Sequence, residues 1–192
     1  MKINFFRLYI LLTIIVLLNG CAAAVVTGGA AGASMAIDKR TTGTIIEDQA
    51  IELKVSQAFR DDEEIKTKAH WNVISYNTKV LLTGEAPDEN LRGRMTVLAS
   101  AVPKVTQVYN EISIAAPSSM MSRSSDTVIT GKVKTKLLAD NNTEGLSIKV
   151  ATEKGVVYLM GLVSREQADL ATDIVRQTGG VQKVVKLFEY TD

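Results

Sequence analysis

The chain repeats itself, and no other feature constrains its fold as strongly. Asp48-Gln49-Ala50-Ile51-Glu52-Leu53-Lys54-Val55 aligns with Asp126-Thr127-Val128-Ile129-Thr130-Gly131-Lys132-Val133 at an offset of 78 residues. Lys79-Val80-Leu81-Leu82-Thr83-Gly84 matches Val156-Val157-Tyr158-Leu159-Met160-Gly161 at 77, and Val105-Thr106-Gln107-Val108 matches Val181-Gln182-Lys183-Val184 at 76. Three blocks in the same order, with one-residue slips between them, describe one unit of about 70 residues written twice. A chain of 192 residues has room for two such small domains and little more.

Within each copy the hydrophobic period changes from helical to strand-like and back. Ile51, Val55, Ala58 and Phe59 recur at helical spacing, as do Ile129, Val133 and Leu137. Asp48 and Asp126 are expected to cap these helices at their N-termini. Strand pairs follow at 72–75 with 79–85 and at 147–152 with 156–162, joined by turns at 76–78 and 153–155. Asn77 and Gly155 suit the positive φ that such turns require. Gly84 and Gly161 are expected to end the second strands. A second helix runs from about Asp88 to Ala101 and again over 165–178, and closing strands occupy 106–114 and 182–190. The order α-β-β-α-β predicts an α+β fold, two helices on one face of a three-stranded mixed sheet, present twice.

The N-terminus reads as an address. Lys2 and Arg7 precede an uncharged run from Leu8 to Leu18, the pattern of a secretory signal. That run is shorter than the roughly 20 residues that span a bilayer, so a permanent span would need residues 19–26 added. It ends in Leu18-Asn19-Gly20-Cys21, which resembles the bacterial lipobox. The resemblance implies a diacylglyceryl thioether on Cys21, cleavage before it, and, with Ala22 next, release to the outer membrane. Two or more acyl chains anchor a protein stably where one does so only marginally. Residues 22–37 are rich in Ala and Gly. Gly28, Gly29 and Gly32 lack the Gly-Lys-Ser/Thr of a phosphate loop and read as a tether. The organisation is therefore a leader over 1–20, a lipidated tether over 21–43, a first domain over 44–115, a connection over 116–125 and a second domain over 126–192.

Composition narrows the chemistry. Twenty-two basic residues against 21 acidic ones give a net charge of +1, too little field for nucleic acid as the main partner. One Cys rules out an internal disulfide, and one Cys with one His rules out a Cys/His zinc cage. No cofactor and no metal are expected. His70 reads as an ordinary surface histidine, Trp71 as partly buried, and Asp61-Asp62-Glu63-Glu64 as a solvated loop without the spacing of a calcium site. With a single His, no catalytic triad is credible without an unusual partner, and the chain is not expected to be an enzyme.

The α-β-β-α-β order, the Val-Leu-Leu-Thr-Gly and Tyr-Leu-Met-Gly strands, and the Val-Tyr-Asn-Glu-Ile and Val-Val-Lys-Leu-Phe closing strands resemble BON domains. A BON pair behind a lipobox resembles the dual-BON outer-membrane lipoproteins. That resemblance implies a protein lipid-anchored in the outer membrane and facing the periplasm. It also implies that the protein binds anionic phospholipid, gathers at division sites and maintains the outer membrane. It places the phospholipid contact on the first helix of the second copy, at Asp126, Thr127, Val128, Thr130, Gly131, Lys132, Lys134 and Lys136. Lys132 and Lys136 lie one helical turn apart, while Lys134 is displaced by about 200°. Over 118–192 basic residues exceed acidic ones 10 to 9, whereas over 44–115 they trail 8 to 11. The resemblance breaks at Val128, where relatives carry a Trp suited to the membrane boundary. The alternative reading is a periplasmic module for envelope-assembly or peptidoglycan-linked protein partners.

Overall fold

The computed structural model describes residues 38–117, 119–140, 142–143 and 147–192. The leader, Cys21 and the tether as far as residue 37 lie outside the described residues. The first copy consists of α1 (Thr42–Asp61), α2 (Glu63–Lys68), β1 (His70–Tyr76), β2 (Lys79–Ala86), α3 (Glu89–Ser100) and β3 (Gln107–Ile114). The second consists of α4 (Met120–Ala139), β4 (Lys149–Glu153), β5 (Val156–Val163), α5 (Arg165–Arg176) and β6 (Lys183–Tyr190). Each sheet has its middle strand antiparallel to the first and parallel to the third, as the crossover helix requires. The α+β, twice-repeated architecture expected from the periodicity is the one observed.

Alternation along the strands gives each sheet two buried faces. Val80, Leu82 and Ala86 of β2 turn toward α1 and α3, where Ile51, Val55, Phe59 and Met95 complete the first core. Val157, Leu159 and Val163 do the same against Ile129, Val133, Leu137 and Ala171. The opposite faces form a third core in which Ile74, Tyr76 and Leu81 meet Ala151, Tyr158 and Met160. The two sheets therefore pack back to back, with the helices outside. This accounts for the unbroken apolar runs at 80–82 and 156–160, since a strand covered on both faces does not alternate with polar residues. A two-layer unit this small is marginal alone, and the shared core removes an apolar face from water in each copy.

Several local expectations are corrected. Asp48 and Asp126 are not N-caps. Thr41 and Ser119 cap the helices, and the two aspartates lie buried inside them. Each instead holds a hairpin turn. The Asp48 carboxylate accepts the backbone N–H groups of Asn77 and Thr78, both at 2.8 Å, and that of Asp126 accepts Lys154 and Gly155 at 2.8 and 2.9 Å. The turns are two-residue ones with both residues at positive φ: Asn77 at 50° and Thr78 at 65°, Lys154 at 49° and Gly155 at 73°. A β-branched residue is costly there, and the carboxylate beneath Thr78 offsets that cost.

Helix α4 begins at Met120, within the stretch read as a connection, and contacts of the first copy extend back to Asp38. Burial pushes the Asp38 carboxyl up, but the Arg40 guanidinium bonded to it more than offsets this and holds it below the ordinary value. The acidic run at 61–64 is not a loop. Asp62 leaves the helical conformation to end α1, and its carboxylate accepts from the N–H groups of Glu64 and Ile65 to start α2. Gly84 lies inside β2 rather than at its end. Its φ is 127°, and a Cβ there would lie 2.1 Å from the His70 carbonyl oxygen. Only glycine lets β1 approach so closely. Trp71 is half-buried, edge-on to Phe59 at 5.4 Å, as expected.

Candidate functional site

Helix α4 buries one stripe, Asp126, Ile129, Val133 and Leu137, and turns the rest outward. At about 100° per residue, Met121, Val128 and Lys132 fall on one flank within about 40° of one another. Met121 is 82% and Val128 56% exposed, and Lys132 is exposed. Met120, 81% exposed at the helix start, is turned about 100° from Met121, toward the side of Lys134. Lys136 is exposed nearby and donates to the Gln177 carbonyl at 3.3 Å. The flank thus combines apolar tips with ammonium groups at their base.

The remaining predicted residues divide differently. Lys134 is exposed on the opposite flank, beside Arg40, Tyr76 and Leu138 at a cavity of about 280 Å³. Thr127 gives its hydroxyl to the Arg123 carbonyl and Thr130 gives its own to Thr152. Gly131 is exposed, with open space where a Cβ would sit. Asp126 is turned inward and committed to the hairpin, so it does not share a surface with the lysines.

A second polar constellation lies between the two sheets. His70 stands opposite Glu85 in the β1–β2 register, and its Nδ1 lies 3.0 Å from Glu85 Oε2. Lys154, from the turn of the second hairpin, places its ammonium 2.8 Å from Glu85 Oε1. Glu153 enters from β4 on the same face as Ala151. Its Oε1 is buried and has no hydrogen-bond partner. Ligand atoms of His70, Glu85 and Glu153 all lie within 4.8 Å of one another. Burial first, and Glu85 second, push the Glu153 carboxyl above its ordinary value. His70 is therefore not a plain surface histidine.

Sequence reading missed this group because its members occupy non-equivalent positions in the two copies. At the offset of 77, Glu85 corresponds to Leu162 and Tyr76 to Glu153, so self-comparison has nothing to match. The available signal was a charged residue inside an otherwise apolar strand, Glu85 two residues after Thr83.

A family model described as the BON domain matches residues 47–116 and 125–192. The chain belongs to the BON domain family. The two matched segments of this BON protein coincide with the two copies seen in the fold. It is 41% identical over 186 residues to the outer membrane lipoprotein DolP of Haemophilus influenzae, covering 97% of this chain and 96% of that one. A 21 kDa hemolysin of Actinobacillus pleuropneumoniae is 38% identical over 80% of this chain and 79% of its own length. Osmotically-inducible protein Y of Escherichia coli is 31% identical, covering 82% of this chain and 80% of that protein.

Proposed function

We propose that this dual-BON protein is an outer-membrane lipoprotein, anchored through acyl chains on Cys21 and facing the periplasm, that binds anionic phospholipid with its second BON domain. The observation that carries this reading is the exposed flank of α4, where Met121 and Val128 stand beside Lys132. Apolar tips enter the acyl boundary while each basic residue near an anionic surface contributes about 1 kcal/mol. Full-length similarity to a DolP supports the anchor and the membrane. Among the described residues no helix is long and apolar enough to cross a membrane. On this reading the protein works by surface contact rather than by bond-making. In the cell it supports outer-membrane integrity and gathers at division sites.

The test is co-sedimentation of the Cys21→Ser protein with vesicles of phosphatidylglycerol and of phosphatidylcholine. Binding to the anionic vesicles alone, weakened by salt, is expected. Equal or absent binding at low salt overturns the reading, and capture of an envelope protein without lipid would favour the interaction-module alternative.

A further inference from the structure

We propose that His70, Glu85 and Glu153 form an interdomain binding site for one divalent transition-metal ion of the zinc class. The donor set is one imidazole nitrogen and two carboxylate oxygens. Zn²⁺ accepts this set with bonds of about 2.0 to 2.2 Å, usually with a water at the fourth position. Such bonds place neighbouring ligand atoms about 3.3 Å apart in a tetrahedron. His70 Nδ1 and Glu85 Oε2 already lie 3.0 Å apart, and the three ligand atoms lie within 4.8 Å. Closing the set requires the most distant pair, at most 4.8 Å apart, to approach by no more than about 1.5 Å. Ca²⁺ is a poorer match, since it seeks six to eight oxygens and gains little from an imidazole.

The second observation is Glu153 itself. The residue is 8% exposed, and its Oε1 is buried with no hydrogen-bond partner. A buried carboxylate oxygen left unpaired is expensive, and a Glu153 carboxylate oxygen lies within 4.8 Å of one of Glu85. Lys154 is committed to Glu85 Oε1, at 2.8 Å. It leaves Glu85 Oε2 on the side of His70, as a supporting group orients a metal ligand. A divalent cation among the three groups would satisfy Glu153 and remove the like-charge contact. Beside the cluster lies a cavity of about 370 Å³ lined by His70 and Glu153, which supplies an entry path and room for a metal-bound water.

The site joins the copies. His70 and Glu85 come from the first sheet and Glu153 from the second, so the ion would fasten the domain pair independently of any lipid. The full-length protein in detergent, stripped with EDTA, is titrated calorimetrically with Zn²⁺ alone, and with Mn²⁺ and Ca²⁺ for comparison. One equivalent of Zn²⁺ is expected, bound more tightly than Ca²⁺ and accompanied by a rise in Tm. His70→Gln and Glu153→Gln are each expected to weaken binding by at least about tenfold, while Glu63→Gln on the surface leaves it unchanged. No stoichiometric Zn²⁺ binding, or binding indifferent to both substitutions, overturns the proposal. Should a variant fail to fold, Co²⁺ in the wild-type protein decides the matter. Tetrahedral d–d bands support it; an octahedral aquo spectrum overturns it.

Discussion

Asp48 and Asp126 occupy the same place in the two copies, and each reaches from the middle of a helix to hold the backbone of a hairpin turn. The contact joins the two elements that sequence separates by about 28 residues in either copy. Charged acceptors on backbone N–H groups are among the stronger hydrogen bonds, and removing one strands buried donors. Asp126→Ala is expected to cost about 3 kcal/mol in urea unfolding. Asp48→Ala should cost more, because the Asp48 carboxylate also accepts from the Ser75 hydroxyl and pairs with Arg40, each at 2.7 Å.

The repeated aspartates also show where sequence reading succeeds and where it stops. Their duplication marks the unit, and helical periodicity at 51–59 and 129–137 finds the helices that carry them. Their role is hidden, because an aspartate before an apolar run looks like a cap, whereas Thr41 and Ser119 supply the caps a turn or more earlier. Alternation fixed which strand residues share a face, but not that the outer faces meet. Tyr158 and Met160 could have faced solvent, a ligand or another sheet, and only the fold brings Leu81 and Ile74 against them. The helix flank of Val128 and Lys132 was legible at 100° per residue. The grouping of Glu153 with His70 was not, since it depends on how two domains dock.

Tyr76 carries the interface beyond apolar contact. Its hydroxyl donates to the Ser147 carbonyl at 3.0 Å and accepts the Leu162 N–H at 3.3 Å, so one first-copy side chain bonds two second-copy backbone groups. Tyr76→Phe keeps the ring between the sheets and removes both bonds. A loss of about 1 to 3 kcal/mol is expected, with the two domains unfolding less cooperatively. Calorimetry reads this as a broadened or split transition.

Tyr158 sets the alkaline limit. Burial, then the charges of Glu111 and Glu153, push its phenol from 10.0 up to about 12. The folded state keeps the proton that the unfolded chain releases, so this contribution is intact below pH 10 and is lost as pH rises toward 12. Ultraviolet titration should show Tyr158 ionising about two units late, with Tyr76 also held above its ordinary value by burial, and Tm should fall over the same window. Tyr158→Phe should retain its Tm better across that range.

The α4 flank makes the membrane reading quantitative. Val128 is exposed next to Lys132 one turn on, so it stands where an interfacial aromatic would be most effective. Val128→Trp should tighten binding to anionic vesicles, because the indole fits the headgroup boundary and adds apolar area without changing charge. Val128→Asp should abolish binding while leaving the fold intact, since the side chain lies outside every core cluster. Lys132→Glu reverses one charge and should weaken binding by about 2 kcal/mol, roughly thirtyfold, with a shallower salt dependence. Lys134→Glu is the internal control. It makes the same change on the opposite flank and should matter much less if Met121, Val128 and Lys132 face the lipid. Equal losses from Lys132→Glu and Lys134→Glu would mean that net charge alone governs attraction and that this flank has no defined seat in the bilayer.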